Sequence, residues 1–259
     1  MTIQILVSTM HQTDYSLVEK MNIFSDAIII NQCDRNGYKQ FQTNGHTIDW
    51  YDTTERGVGK SRNKALFAAT ADICVFADDD MVYDKNAYNA VYDAFTSYPD
   101  ASLIVFNVPT GNNKSLDIKK DHRLHQWNAF RYGTYHFAIR RNDILKNRIS
   151  ISLLFGGGAK YSCGEDSLLL ADCFKHKLKL YAVTSLLGIN HEGESTWFHG
   201  YNDKFFKDRG TLYYAMSKTL AIPYCIRYTL IKKHLYIKDR TPKQVFNLMM
   251  QGIKEYKNS

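Results

Sequence analysis

The stretch ADICVFADDDMVY, residues 71–83, runs from a mostly apolar segment directly into three adjacent aspartates, Asp78, Asp79 and Asp80. The apolar part has the length and composition of a buried strand. Like charges that are held side by side and partly removed from water repel one another, which destabilises the fold unless a cation or hydrogen-bond donors offset them. We therefore expect positive charge at the end of this strand.

Apolar segments and helical segments alternate on both sides of this stretch. The pattern predicts strands at residues 3–9, 26–32, 46–52, 73–77 and 102–108, helices at 16–22, 59–70 and 85–98, and a loop at 111–126. This order predicts an α/β fold with a mainly parallel sheet and helices on both faces. Ligands of such open sheets bind beyond the carboxyl ends of the strands, where the three aspartates lie.

Length and composition limit the class of protein. A chain of 259 residues, of which 44% are hydrophobic, can bury the core of one large α/β domain. The five cysteines are widely spaced without a CxxC pair, which argues against a disulfide framework or a structural zinc site. The N-terminus does not resemble a signal peptide, and no apolar segment is long enough to span a membrane. These features predict a cytoplasmic protein, either soluble or peripheral at a membrane.

Positive charge is concentrated at the C-terminal end. Residues 1–199 hold 21 Lys and Arg against 22 Asp and Glu, whereas residues 200–259 hold 12 against 4. Bases, aromatics and aliphatics are interleaved over 211–238, which suits a helix on an anionic membrane surface but also a solvated face of a packing helix. No nucleic-acid-binding motif accompanies them, so we expect no nucleic-acid partner. We predict a catalytic domain at 1–199 and a basic helical extension at 200–259.

Three segments follow one another in order: RGVGKSRNKAL (56–66), ICVFADDDMVY (73–83) and FGGGAKYSCGEDSLLLADC (155–173). Together they resemble the family 2 glycosyltransferases, which are inverting enzymes of the GT-A fold. The resemblance covers roughly residues 3–200. It implies a Rossmann-like nucleotide-diphospho-sugar transferase fold. It also implies transfer of a hexose or N-acetylhexosamine from a UDP-sugar to an acceptor hydroxyl, as in bacterial capsule and other surface polysaccharide synthesis. The acidic donor site and the basic aromatic tail together suggest that the saccharide acceptor is lipid-linked.

The aspartate triplet matches the DxD motif of that family. The resemblance implies that Asp80 ligates Mn²⁺ or Mg²⁺, while Asp78 or Asp79 helps to hold the ion or contacts the ribose, and the triplet permits both registers. Such ions are usually held by one or two carboxylates together with substrate phosphates. His191 lies after the last core strand, where a histidine often completes metal or diphosphate binding in the family.

Further residues are candidates for nucleotide binding. Ser8 and Thr9 end the first strand and Asp34 follows the second, at positions where the family commonly holds the base and ribose. Lys60 and Arg62 lie at the start of a helix after a glycine-containing turn, a setting that favours phosphate. A structural ion pair is the alternative for Arg62. Downstream, Ser195–Phe198 are interpreted as phosphate contacts and a lid over the donor.

Glu165 and Asp166 begin a further predicted helix. Acids in the first turn are favoured by the helix dipole, so helix capping alone would explain them. The ED motif of the family lies here, and the resemblance implies that Asp166 is the general base, with Glu165 beside it. An inverting displacement needs a carboxylate that takes the proton of the acceptor hydroxyl as its oxygen attacks.

Two other functions remain open. A sugar-phosphate nucleotidyltransferase also combines a nucleotide-binding α/β fold with metal-binding carboxylates, but it would normally show a glycine-rich signature after the first strand, where this chain has STMHQTDY. A sugar-nucleotide-binding protein without turnover would be expected to have lost one acidic motif, and both are intact here.

Overall fold

The computed structural model describes residues 1–110, 118–191, 198 and 200–258. The strands are β1 (Ile3–Met10), β2 (Asp26–Gln32), β3 (Gly37–Thr43), β4 (His46–Thr53), β5 (Ile73–Asp78), β6 (Met81–Tyr83), β7 (Ala101–Asn107), β8 (His122–Arg123), β9 (Phe137–Arg140), β10 (Lys179–Leu186) and β11 (Gly188–Asn190). The helices are α1 (Leu17–Lys20), α2 (Val58–Ala68), α3 (Ala87–Ser97), α4 (Arg141–Lys146), α5 (Glu165–Lys175), α6 (Asp203–Met216), α7 (Ala221–Ile231) and α8 (Pro242–Lys257).

Nine of these strands form one sheet in the order β3-β4-β2-β1-β5-β9-β7-β10-β8. Strands β4, β2, β1 and β5 pair in parallel, as do β7 and β10. Strand β9 lies antiparallel between β5 and β7, and β3 and β8 are antiparallel at the two edges. The predicted α/β fold with a mainly parallel sheet is confirmed, and every predicted strand and helix lies within two residues of its expected ends.

The core lies on both faces of the sheet because successive side chains of a strand point to opposite sides. Ile5 and Val7 of β1 belong to the cluster that packs against α1 and α3, while Leu6 belongs to the cluster that packs against α2 and α5. Each fully buried side chain of this size contributes about 1.5–3 kcal/mol. Burial on both faces explains why the central strands are almost continuously apolar.

Six of the eleven strands in the described residues were not predicted from the sequence, namely β3, β6, β8, β9, β10 and β11. Strand β3 forms a hairpin with β4 through Asn44 and Gly45, whose φ angles are 50° and 80°. An Asn-Gly pair with positive φ at both residues is the preferred two-residue hairpin turn, so this signal was present. In the described part of the loop predicted over 111–126, residues 118–126 have no helix or strand except at His122 and Arg123, which pair with β10.

The short strands β6 and β11 follow β5 and β10 in the chain, and they form a separate two-stranded sheet. They pair antiparallel with each other, so that Asn190 lies opposite Met81. The N–H of His191 then donates to the carbonyl oxygen of Asp80 at 2.8 Å. This pairing brings two candidate residues together although they are far apart in the sequence.

The C-terminal helices have their own hydrophobic cluster, which includes Phe206 of α6, Cys225 of α7 and Met249 of α8. Helices α6 and α8 cross very closely: a Cβ atom at Gly210 would lie 2.0 Å from the carbonyl oxygen of Met249. Only glycine permits this approach. In the part of the chain that the structure describes, we find no helix with the length and hydropathy needed to cross a bilayer.

Candidate active site

A buried arginine joins the two acidic motifs. Arg62 lies in the second turn of α2 and is 5% exposed. Its Nη2 donates to Asp78 Oδ1 at 2.7 Å and Oδ2 at 3.1 Å, and its Nη1 donates to Glu165 Oε1 at 2.8 Å. A buried cation is tolerated when it is paired and hydrogen-bonded, and here two carboxylates do this. The structural ion pair considered for Arg62 is therefore present, and it brings the end of β5 to the start of α5.

Each aspartate of the triplet has a different donor. Asp78 accepts from Arg62, whereas Asp79 Oδ2 accepts from the hydroxyl of Thr9 at 2.5 Å. Asp80 Oδ1 accepts from the side-chain amide of Asn190 at 2.8 Å. The positive charge expected at this strand end is supplied in part by the protein itself: among the described ion pairs, that of Arg62 reaches the first of the three carboxylates, Asp78.

Asp79 and Asp80 have no cationic partner among the described ion pairs, and Asp80 is the more buried of the two. Burial, followed by the charges of Asp78 and Asp79, raises the pKa of Asp80 to about 6. A bound cation would relieve this repulsion. Among the described residues no three Asp, Glu, His or Cys side chains converge as a complete metal site. Since Mn²⁺ and Mg²⁺ commonly take one or two protein ligands plus phosphate oxygens, the Asp80 carboxylate fits such a partial site, and the backbone of His191 lies beside that of Asp80.

Asp166 lies in the first turn of α5. Its Oδ1 accepts the N–H of Ser167 at 2.6 Å, so the helix-capping interpretation is partly correct. Burial and then the charge of Glu165 raise the pKa of Asp166 to about 6, and Arg62 and Arg209 act in the opposite direction. A carboxylate with this pKa is mostly ionised at neutral pH and is a stronger base than an ordinary aspartate.

The residues predicted to bind nucleotide fall into two groups. Ser8 lies opposite Asp78 in the β1–β5 register and bonds to Ser61 at 2.8 Å, so Ser8 and Thr9 do lie beside the triplet. The structure places Asp34 and Lys60 in surface ion pairs, Asp34 with Arg56 at 2.6 Å and Lys60 with Glu55 at 3.5 Å.

Two residues near the acidic motifs were not found by sequence reasoning. Asn190 reaches Asp80 through the β6–β11 pair, and Arg209 of α6 donates to Cys163 Sγ at 3.8 Å, just before the ED pair. Neither has a local sequence signal. Ser195, Thr196 and Trp197, expected in a lid, lie outside the described residues. The ring of Phe198 packs 5.0 Å from that of Tyr201.

Comparison with known families identifies the chain. The profile described as glycosyl transferase family 2 matches residues 16–157, which is more than half of its length and includes the aspartate triplet and Arg62. The chain belongs to glycosyl transferase family 2. No curated protein matches this glycosyltransferase in sequence at a significant level.

Solved structures resemble the glycosyltransferase over nearly its whole length. Staphylococcus aureus TarS 1–349 in complex with UDP-GlcNAc gives a TM-score of 0.68 at 13% identity, covering 99% of this chain and 80% of TarS 1–349. The mannosyltransferase PcManGT from Pyrobaculum calidifontis, in complex with GDP-Man and Mn²⁺, gives 0.52 at 12% identity, covering 99% and 75%. At these identities the likeness concerns the fold, and the predicted GT-A fold is confirmed.

Proposed function

We propose that this family 2 glycosyltransferase moves a hexose or N-acetylhexosamine from a UDP-sugar to a hydroxyl of a saccharide acceptor, with inversion. The observation that supports the proposal most strongly is the Arg62 bridge. It joins a carboxylate of the triplet, suited to the donor side, to the carboxylate next to Asp166, suited to the acceptor side. An inverting displacement needs both acidic groups at one place.

In this proposal Asp166 removes the proton of the acceptor hydroxyl as its oxygen attacks the anomeric carbon. Glu165 is held by Arg62 and by the N–H of Gly164 at 3.2 Å. Burial raises the pKa of Asp166, and the negative charge of Glu165 raises it further, which makes Asp166 more basic. Glu165 therefore assists the base without itself taking the proton.

On the donor side, Asp80 and His191 would hold Mn²⁺ or Mg²⁺ together with the diphosphate. When bound, the ion would offset the negative charge that grows on the departing diphosphate. Asp78 already shares its charge with Arg62, so we assign it a supporting part in metal binding. Asp79 and Thr9, joined by a hydrogen bond, lie with Ser8 where the ribose and base would bind.

We place the two remaining candidates for nucleotide binding, Asp34 and Lys60, at the edge of the site. Asp34 and Lys60 are exposed, and their contacts to described residues are surface ion pairs, which exchange easily for contacts to a ligand. The choice of a nucleotide sugar with a divalent ion is supported by the ligands named for TarS and PcManGT.

A donor screen tests the proposal directly. We expect UDP-sugars with Mn²⁺ to raise the melting temperature of the protein, because a ligand at 100 times its Kd stabilises the native state by about 2.7 kcal/mol. With a saccharide acceptor, one UDP-sugar should also release UDP. Protection without turnover on any acceptor would favour a binding protein, and formation of UDP-sugar from UTP and a sugar 1-phosphate would favour a nucleotidyltransferase. No protection by any nucleotide sugar would contradict the proposal.

We place the enzyme at the cytoplasmic face of an anionic membrane, acting on a lipid-linked acceptor through its extension, residues 200–259. Helix α7 supports this placement. Ile222, Ile226 and Leu230 recur every four residues, so they share one face, and they are 48%, 47% and 68% exposed. Lys232 and Lys233 follow directly and are exposed. Apolar residues beside exposed lysines suit insertion among anionic headgroups.

Liposome flotation tests this membrane contact. We expect the protein to float with vesicles that contain phosphatidylglycerol at low salt and to float less as salt rises, since salt screens the attraction between lysines and headgroups. Leu230→Glu should weaken binding about tenfold or more, the equivalent of one lost apolar side chain. Tyr92→Glu, at an exposed site on α3, is the matched control and should bind normally. Salt-independent binding, or none, would remove the membrane from the proposal.

A further inference from the structure

Helix α6 of the C-terminal extension packs directly on the segment that leads into the ED pair. A Cβ atom at Gly164 would lie 2.5 Å from Leu212 Cδ2, so the two segments are in close contact. Arg209 lies three residues before Leu212, which places it on the same side of the helix. Its Nη2 donates to Cys163 Sγ at 3.8 Å, one residue before Gly164.

The charge of Arg209 is poorly compensated at this position. Its guanidinium lies over the ring of Phe205 at 5.2 Å and near that of Tyr228 at 5.7 Å, and its Nε is buried without a hydrogen-bond partner. Within the described ranges no carboxylate lies at ion-pair distance from it. A guanidinium cannot escape the cost of burial by losing its proton, so the charge persists and acts on its surroundings.

The groups that face Asp166 come from several elements. Glu165 adds negative charge on the same helix, and two cations oppose it, Arg62 from α2 and Arg209 from α6. Arg62 is already shared between Asp78 and Glu165. The charge of Arg209 interacts with the Cys163 thiol and the tyrosines at 213 and 228, which are neutral at ordinary pH, and with Asp166. Asp166 is the carboxylate that acts most strongly on Arg209, while the neighbouring Asp208, which also acts on Cys163, is held by Lys204 and Ser162.

We propose that Arg209 is a positioning residue of the active site: from the extension, it keeps Asp166 ionised and therefore able to accept a proton. The inference rests on the proposed role of Asp166 as the base. It gives residues 200–259 a part in catalysis that is separate from any contact with lipid or acceptor.

The test measures the titration of Asp166 itself. In protein labelled with ¹³C at the aspartate carboxyl carbons, the Asp166 signal is assigned by its loss in Asp166→Asn. We expect Arg209→Met to move its midpoint upward by about one pH unit, the lower end of the effect of a nearby opposite charge. The acid limb of kcat/KM should move equally, giving about a tenfold loss well below pH 6 and little loss at pH 8. Arg209→Lys should restore most of the shift.

Arg240→Met is the matched control. Arg240 also lies over an aromatic ring of α6, 5.7 Å from that of Phe206, but it pairs with Asp203 at 2.8 Å. Its loss should leave the Asp166 midpoint unchanged. If Arg209→Met does not fold, we expect the same upward shift of the Asp166 midpoint in Arg209→Gln. An unchanged midpoint in a folded variant, or an equal loss of activity at every pH, would overturn the inference. A moved midpoint with an unmoved pH–rate profile would show that Arg209 keeps Asp166 ionised, but it would exclude Asp166 as the base and with it the part of Arg209 in catalysis.

Discussion

Asp166→Asn is expected to reduce sugar transfer by about 10²- to 10⁴-fold, the usual contribution of a general acid–base group. The amide has nearly the shape of the carboxylate but cannot take a proton from the acceptor hydroxyl. Binding of UDP with Mn²⁺ should stay near normal because Asp166 has no hydrogen bond to the aspartate triplet. Single-turnover kinetics with the donor found in the screen would measure the loss.

The pH dependence gives this prediction a second readout. Because the base must be ionised, transfer by the natural protein should fall as pH drops through about 6, the raised pKa of Asp166. The residual activity of Asp166→Asn should lack this step. Asp172→Asn, on the same helix but without a hydrogen bond to either acidic motif among the described contacts, is the control and should keep full turnover. Near-normal turnover in Asp166→Asn would exclude this residue as the base.

Asp80→Asn is expected to weaken metal-dependent UDP binding by about 100-fold or more, which corresponds to about 2.7 kcal/mol. The reason is the loss of the more buried of the two carboxylates that have no cationic partner among the described ion pairs. Calorimetry with UDP, in the presence and absence of Mn²⁺, measures the effect. Asp93→Asn, at an exposed position of α3, is the control. Unchanged UDP affinity with Mn²⁺ in Asp80→Asn would remove the residue from the metal site.

The same substitution should stabilise the protein when metal is absent. The pKa of Asp80 lies above its ordinary value of 3.8, so the native state prefers the protonated form, and the ionised form costs stability above pH 6. We expect Asp80→Asn to raise the free energy of unfolding by about 1 kcal/mol at pH 8 after allowance for solvent screening, with the gain lost below pH 4. Thermal melts with EDTA at the two pH values measure it.

Local patterns predicted much of this architecture. The apolar segments of β1 and β5 and the acids that follow them are contiguous in sequence, so their structure and position could be read directly. Strand β9 could not, because a four-residue antiparallel strand is fixed by its neighbours β5 and β7. Strand β3 was missed despite its Asn-Gly turn, since its side chains are mostly exposed and give weak alternation.

The residues of the candidate site were likewise predicted where local sequence marks them and missed where tertiary contacts define them. Sequence reasoning found the triplet and the ED pair, but it left Arg62 open between phosphate binding and a structural ion pair, which only the distances to Asp78 and Glu165 could decide. Asn190 and Arg209 depend on strand pairing and helix packing between distant segments. Residues whose role arises from such tertiary contacts have no signal in a single sequence.

The Arg62 bridge also constrains how the enzyme could be recombined with its relatives. Arg62 and Asp78 lie upstream of any crossover placed in the middle of the chain, whereas Glu165 lies downstream. A chimera built to combine one donor preference with another acceptor preference would separate these three side chains. It would remain well folded only if the incoming half offered a carboxylate at the same point, so such exchanges should move all three as a single block.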